Sequence, residues 1–252
     1  MKINGWILFL LMVWTCIKID IIFAETNKPP GPEKENAENF PEQKPALQKQ
    51  SGTSKAGINN DTMNPEIKAV RDSLLSYMID DCFPAWYGTR WSFNGMSKTP
   101  GQGEIACGYF VIHTLQQAGF KIPSKMAQQP SENIIKNLVG NQGIKRFYNN
   151  APMEKIVDWI HDRGEGLYIV GLDIHVGYVI YYHNKITFCH SSYYNPPLAV
   201  VNQGIEEKSP LTDSQYRVIA QLFNEKMMKK WIKGEEFPLN YDYFKKNNVG
   251  GK

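Results

Sequence analysis

With 252 residues, 42% hydrophobic and 12% aromatic, the chain is long enough for one good-sized globular domain with additions at its ends. Its net charge of +3 is too small to argue for a nucleic-acid partner. No CxxC pair or comparable ligand spacing argues for a metal, so neither a metal nor another cofactor is expected.

The N-terminus reads as a targeting segment. Lys2 supplies a positive end, and Trp6 to Ile17 is an apolar run too short for a comfortable membrane span. Ala24 offers a small-residue cleavage point, so residues 1–24 are read as a secretory signal peptide. A lipoprotein signal ending at Cys16 is the rival, weakened by Trp14 and Thr15 where small residues are expected, and an uncleaved anchor is a third reading. All three place the domain outside the cytoplasm, periplasmic or extracellular, with membrane association only through this segment. Cleavage would leave Cys82, Cys107 and Cys189, an odd number that suggests one disulfide plus a free thiol, or no disulfide. Residues 25–62 are rich in Pro, Glu, Lys, Gln and Asn without aliphatic periodicity, and read as a disordered linker.

Order should begin near Asn64, with 63–252 as the folded domain. Asn64 caps and Pro65 starts a helix whose apolar face is Ile67, Val70, Leu74, Leu75 and Met78, ending near Asp81. Cys82 to Gly103 reads as an irregular loop dense in aromatics, and a loop of that length is often functional. The stretch GEIACGYFVIHTLQQAGF, Gly103–Phe120, then places Cys107 where a loop enters the first turn of a buried helix. Further helices are expected over Ser131–Val139 and Pro152–Asp162. Short β-branched or aromatic runs follow at Gly166–Val170, Ile174–Tyr182 and Lys185–Ser191, with His183–Asn184 as a tight hairpin turn. Leu198–Val201 suggests another strand. A long helix is expected over Thr212–Lys233, with Lys226, Lys229, Lys230 and Lys233 crowding its end as a solvated face.

Three residues carry the chemistry. Cys107 at a helix start meets free N–H groups and the helix dipole, which favour a thiolate and could hold an oxyanion. The plainer reading is a small core residue. A turn centred on His183–Asn184 makes numbers across the hairpin sum to about 367. His175 then faces position 192, and His190 is its diagonal neighbour on the same sheet face. Cys189 falls on the opposite face, where it is buried or bonded to Cys82. A thiol nucleophile needs a base, and the base an orienter. Cys107, His175 and His190 fit those roles in turn, whereas His113, His161 and His183 read as structural or surface residues.

The set IACGYFV, AGFKIPS, IHVGYVI and CHSS, between about Tyr87 and Ser192, resembles the NlpC/P60 family of papain-like cysteine peptidases. Ala106 and Gly108 stand where that family has Asp and Ser. The resemblance implies an α+β fold with the nucleophile helix packed on an antiparallel β-sheet; the helices expected at either end lie outside it. It implies Cys107 as nucleophile, His175 as base and His190 as orienter. It also implies a tyrosine near the oxyanion, for which Tyr87 is the candidate and Trp91 the rival. The implied activity is endopeptidase cleavage of amide bonds in peptidoglycan stem peptides, with the wall or a peptide substrate as partner; the chain itself is expected to be a monomer. An amidase or acyl hydrolase on another substrate, or a non-catalytic binding module, are the alternatives.

Overall fold

The computed structural model describes residues 63–239. The signal segment at 1–24, the linker at 25–62 and the last residues of the expected domain lie outside this range.

The chain is mixed helix and antiparallel sheet. Six strands, β1 (Lys145–Phe147), β2 (Gly166–Leu172), β3 (Val176–Tyr182), β4 (Lys185–Ser191), β5 (Val200–Gly204) and β6 (Arg217–Gln221), form one sheet in the order β1-β6-β2-β3-β4-β5. Every pairing in it is antiparallel. The sheet is covered on both faces. Leu167, Ile169, Tyr178 and Val218 point into a core shared with most of the helices. Tyr168, Val170, Val179 and Ile219 point to the other side, against Ile156, Trp159 and Ile160. Burial on both faces is why β2 (GLYIVGL) has no polar alternation.

Helix α1, Pro65–Ser76, begins as its sequence indicates. The Asn64 side chain accepts from the N–H groups of Glu66 and Ile67, at 2.8 and 3.4 Å. It does not stop near Asp81. A π-helical turn, Tyr77–Cys82, carries the chain into α2, Phe83–Trp86. The reason is burial: Phe83 and Trp86 are fully enclosed, and the wider turn rotates them onto the core. The loop therefore starts only at Tyr87. It is pinned where Gly88 and Trp91 donate to the Val200 and Leu198 carbonyls, and Ile105 to that of Arg90.

Helix α3 (Cys107–Gln117) lies on the sheet, tied by the Tyr178 hydroxyl, which lies 2.8 Å from both Thr114 Oγ1 and the Val111 carbonyl. A 3-10 turn, Ser124–Gln128, precedes α4 (Ser131–Val139), and α5 (Met153–His161) covers the far face.

The helix expected over Thr212–Lys233 is not there. That stretch divides into the end of α6 (Pro210–Asp213), strand β6, and α7 (Glu225–Lys233). Arg217–Gln221 (RVIAQ) is inserted between β1 and β2, and its Val218 and Ile219 face opposite cores. Ladder bonds on two sides and burial on two faces outweigh the weak helical spacing. Ser209 caps α6 in a capping box whose fourth residue is Thr212, and Asn224 caps α7. The lysines of α7 are largely ion-paired at the surface, Lys229 with Glu225, and Lys230 and Lys233 with Glu235. The strand expected from Leu198 begins at Val200, and the three-residue β1 was not anticipated.

Candidate active site

Cys107 is the first residue of α3. Its N-cap, Ala106, has no capping side chain, so the first-turn N–H groups are left to other partners. The N–H groups of Cys107 and Gly108, with that of Val176 from β3, are directed at the Cys107 sulfur. Gly108 is required here. A Cβ at this position would lie 2.3 Å from the Ala127 carbonyl oxygen, because the 3-10 turn packs directly on the helix start. The carboxyl end of β4 is fastened to the same place, Ser191 Oγ donating to the Ile105 carbonyl at 2.7 Å.

The hairpin carries the histidines. His183 and Asn184 both take positive φ, 49° and 58°, as a two-residue turn requires. Tyr178 pairs with Cys189 and Tyr182 with Lys185, so the register is the one that sums to 367. His175, just before β3, and His190, on β4, meet at 2.9 Å between Nε2 and Nδ1. Gly177 stands directly across from His190. A Cβ there would come within 2.8 Å of both the His190 Cβ and the Phe188 ring. The glycine of the HVG triplet is what lets the second imidazole stand beside the first.

The hydrogen bonds set the tautomers. Gln203 Nε2 donates to the Lys208 carbonyl at 3.3 Å, which turns its Oε1 toward His190 Nε2, 3.1 Å away. His190 therefore carries its proton on Nε2 and accepts at Nδ1. His175 must donate from Nε2, which leaves His175 Nδ1 as an unprotonated nitrogen. That atom is buried and has no hydrogen-bond partner. Gln203 is thus a member of the site that sequence reasoning missed; its signal is the register, which puts it two residues from the position paired with His190.

Burial sets the charge states. It pushes His175 well below the ordinary imidazole range, with the neighbouring His190 adding to the effect. Burial likewise lowers His190 to about 4, although the bond to Gln203 opposes it. Both rings are neutral near pH 7. The Cys107 thiol is pushed up by burial, and the three N–H groups only partly offset this. The resting site is a neutral thiol beside a neutral base, not the preformed thiolate expected from the helix start alone.

Cys107 and His175 line one cavity of about 850 Å³. Trp91 lines it as well, and Tyr87 does not. The Tyr87 hydroxyl lies against Asn202 and Cys189 instead. The tyrosine at the site is Tyr193, whose ring is 5.3 Å from His175 and 6.0 Å from Trp91, and which lines the cavity with Cys107. Its sequence signal is its place three residues after His190. Cys82 and Cys189 are buried free thiols, so the possible bridge between them is not formed. His113 Nδ1 donates to the Ser97 carbonyl at 2.7 Å and anchors the loop, and His161 and His183 lie at the surface.

Among the described residues no group of His, Cys, Asp or Glu could hold a metal ion, and no helix is long and apolar enough to cross a membrane. No family model matches the chain, and comparison with curated proteins and with solved structures finds no similar one.

Proposed function

We propose that the protein is a cysteine hydrolase of the papain-like type, with Cys107 as nucleophile, His175 as general base and acid, and His190 as its orienter. The observation that carries this reading is the buried, unpartnered Nδ1 of His175, on a residue that lines one cavity with Cys107 and is held in its tautomer by His190 and Gln203.

The chemistry follows from that arrangement. As a substrate carbonyl arrives, the Cys107 proton passes to His175 Nδ1 and the sulfur attacks the carbonyl carbon. His175 Nε2 keeps its proton and its bond to His190, so the imidazolium is stabilised by the acceptor it already faces. The developing oxyanion accepts from N–H groups at the start of α3. Collapse expels the leaving group, which takes the proton from His175, and a thioester remains on Cys107. Water then attacks the thioester, with His175 again accepting a proton, and restores the thiol. A raised thiol pKa suits this sequence, because the proton transfer is coupled to attack rather than complete beforehand.

The first candidate substrate is the amide bond of a peptidoglycan stem peptide. It rests on the NlpC/P60 resemblance and on the expected export signal. The test is to incubate the purified protein and its Cys107→Ala variant with peptidoglycan and read released fragments by mass spectrometry. Stem-peptide cleavage by the wild type alone is the expected result; equal release by both proteins removes the mechanism.

A further inference from the structure

The larger cavity beside Cys107 has a composition that bears on its ligand. It is walled by Trp91, Phe93, Met96, Tyr109, Ile174 and Tyr193, and no Asp, Glu, Lys or Arg lines it. Its polar side chains away from the catalytic pair are few, and one of them is already used: Gln128 Nε2 donates to the Tyr109 hydroxyl at 2.8 Å. At the mouth, Phe93, Ile174 and Met96 are 81%, 79% and 58% exposed. Large apolar side chains held that open are the exception on a folded chain, where an exposed apolar patch marks a binding site. An adjoining smaller cavity of about 200 Å³, which also has Cys107 and His175 in its lining, does contain a carboxylate, Asp173. That carboxylate is occupied. It accepts from Ser214 Oγ and from the N–H groups of Gln215 and Tyr216, all within 3.0 Å.

We propose that the cavity over Cys107 seats an uncharged, apolar group of the substrate, an aliphatic or aromatic side chain or acyl chain next to the bond that is cleaved. The proposal rests on the cysteine-hydrolase reading and adds the substrate class to it. A carboxylate placed there would lose water and find no cationic partner, whereas an apolar group would cover Phe93, Met96 and Ile174 as it enters. A stem peptide fits only if its carboxylates lie outside this cavity.

Alkylation of Cys107 reads the cavity without requiring turnover. The full chain is treated with N-benzyl iodoacetamide, iodoacetamide and iodoacetate, and each rate is divided by that reagent's rate with free glutathione. Mass mapping of the label separates Cys107 from the other cysteines. The expected result is saturable labelling by the benzyl reagent, at least about tenfold faster than by iodoacetate after that correction. The Phe93→Ser/Met96→Ser variant should lose most of the preference; both side chains are exposed, so the fold is retained. Peptide substrates differing only in Phe or Glu beside the scissile bond should be turned over in the same order. Equal corrected rates, or a preference for iodoacetate, overturn the proposal, and the hydrolase reading stands if Cys107-dependent turnover is seen. A benzyl preference without turnover of any substrate keeps the apolar site and overturns the hydrolase reading instead.

Discussion

Gly177→Ala tests whether the paired histidines are the working part of the site. The added Cβ would sit 2.8 Å from the His190 Cβ and from Phe188 Cε2, and 3.1 Å from the Cys189 carbonyl oxygen. None of these is the free end of a long side chain. Ordinary contact begins near 3.4 Å, so His190 must retreat by about 0.6 Å. Taken along the bond to His175, that shift stretches the 2.9 Å contact to about 3.5 Å, beyond a useful hydrogen bond. Overpacking of this kind costs about 1–3 kcal/mol. At about 2–4 °C per kcal/mol for a domain of this size, the melting temperature should fall by roughly 2–12 °C. Activity should fall more than stability suggests, by about 100-fold, because a misplaced base loses near-attack geometry. Ile160→Val, on the far face of the sheet, is the control, since it should cost about 1 kcal/mol without touching either histidine. Thermal melts and hydrolysis rates of both variants decide the matter. A folded Gly177→Ala protein with wild-type turnover would refute the assignment of His190 as orienter.

The tautomers can be read directly. Nitrogen-15 NMR of the imidazoles near pH 7 should show protons on Nε2 of both His175 and His190, and Gln203→Leu should disturb that assignment while lowering kcat more than it raises KM. A proton on His175 Nδ1 in the wild type would overturn the relay. The depressed His190 pKa also enters stability. Between about pH 6.5 and pH 4 the unfolded chain binds the proton that the folded chain refuses, so stability rises with pH through that window. The contribution is about 3 kcal/mol, fully present above pH 6.5, and melts of wild type and His190→Asn from pH 4 to 7 should separate it. His175, also depressed by burial, adds to the slope in the same direction, so the difference between wild type and His190→Asn, not the wild-type slope, isolates His190. Glu132, held near 2 by hydrogen bonds from Lys136, Arg146 and Tyr216, contributes only below about pH 4.5. Among the thiols of the described residues, native-state alkylation should label Cys107 alone, at a rate that climbs above the ordinary thiol range. Cys82, raised to about 12, and the enclosed Cys189 should react only after unfolding.

The sequence by itself determined what local chemistry decides. Asn64 and Pro65 begin a helix because a cap and a fixed φ act within one turn. The His183–Asn184 turn admits one register, and that register alone brings His175 beside His190. Cys107 at the head of α3 was legible for the same reason, since the helical spacing of Tyr109, Ile112 and Leu115 begins just after a Pro/Gly-rich loop. What the tertiary structure decided involves partners distant in the chain. The Arg217–Gln221 segment carries a helical spacing, yet it is a strand because β1 and β2, some fifty to seventy residues earlier, offer it two ladders. Tyr87 and Trp91 lie four residues apart in one aromatic loop, and only the anchoring of that loop to Val200 and Leu198 puts Trp91 at the cavity and Tyr87 away from it. Tyr193 and Gln203 join the site by the course of β4 and β5. The state of the Cys107 thiol was the least legible of all. A helix start lowers its pKa and burial raises it, and burial is a property of everything packed around the residue.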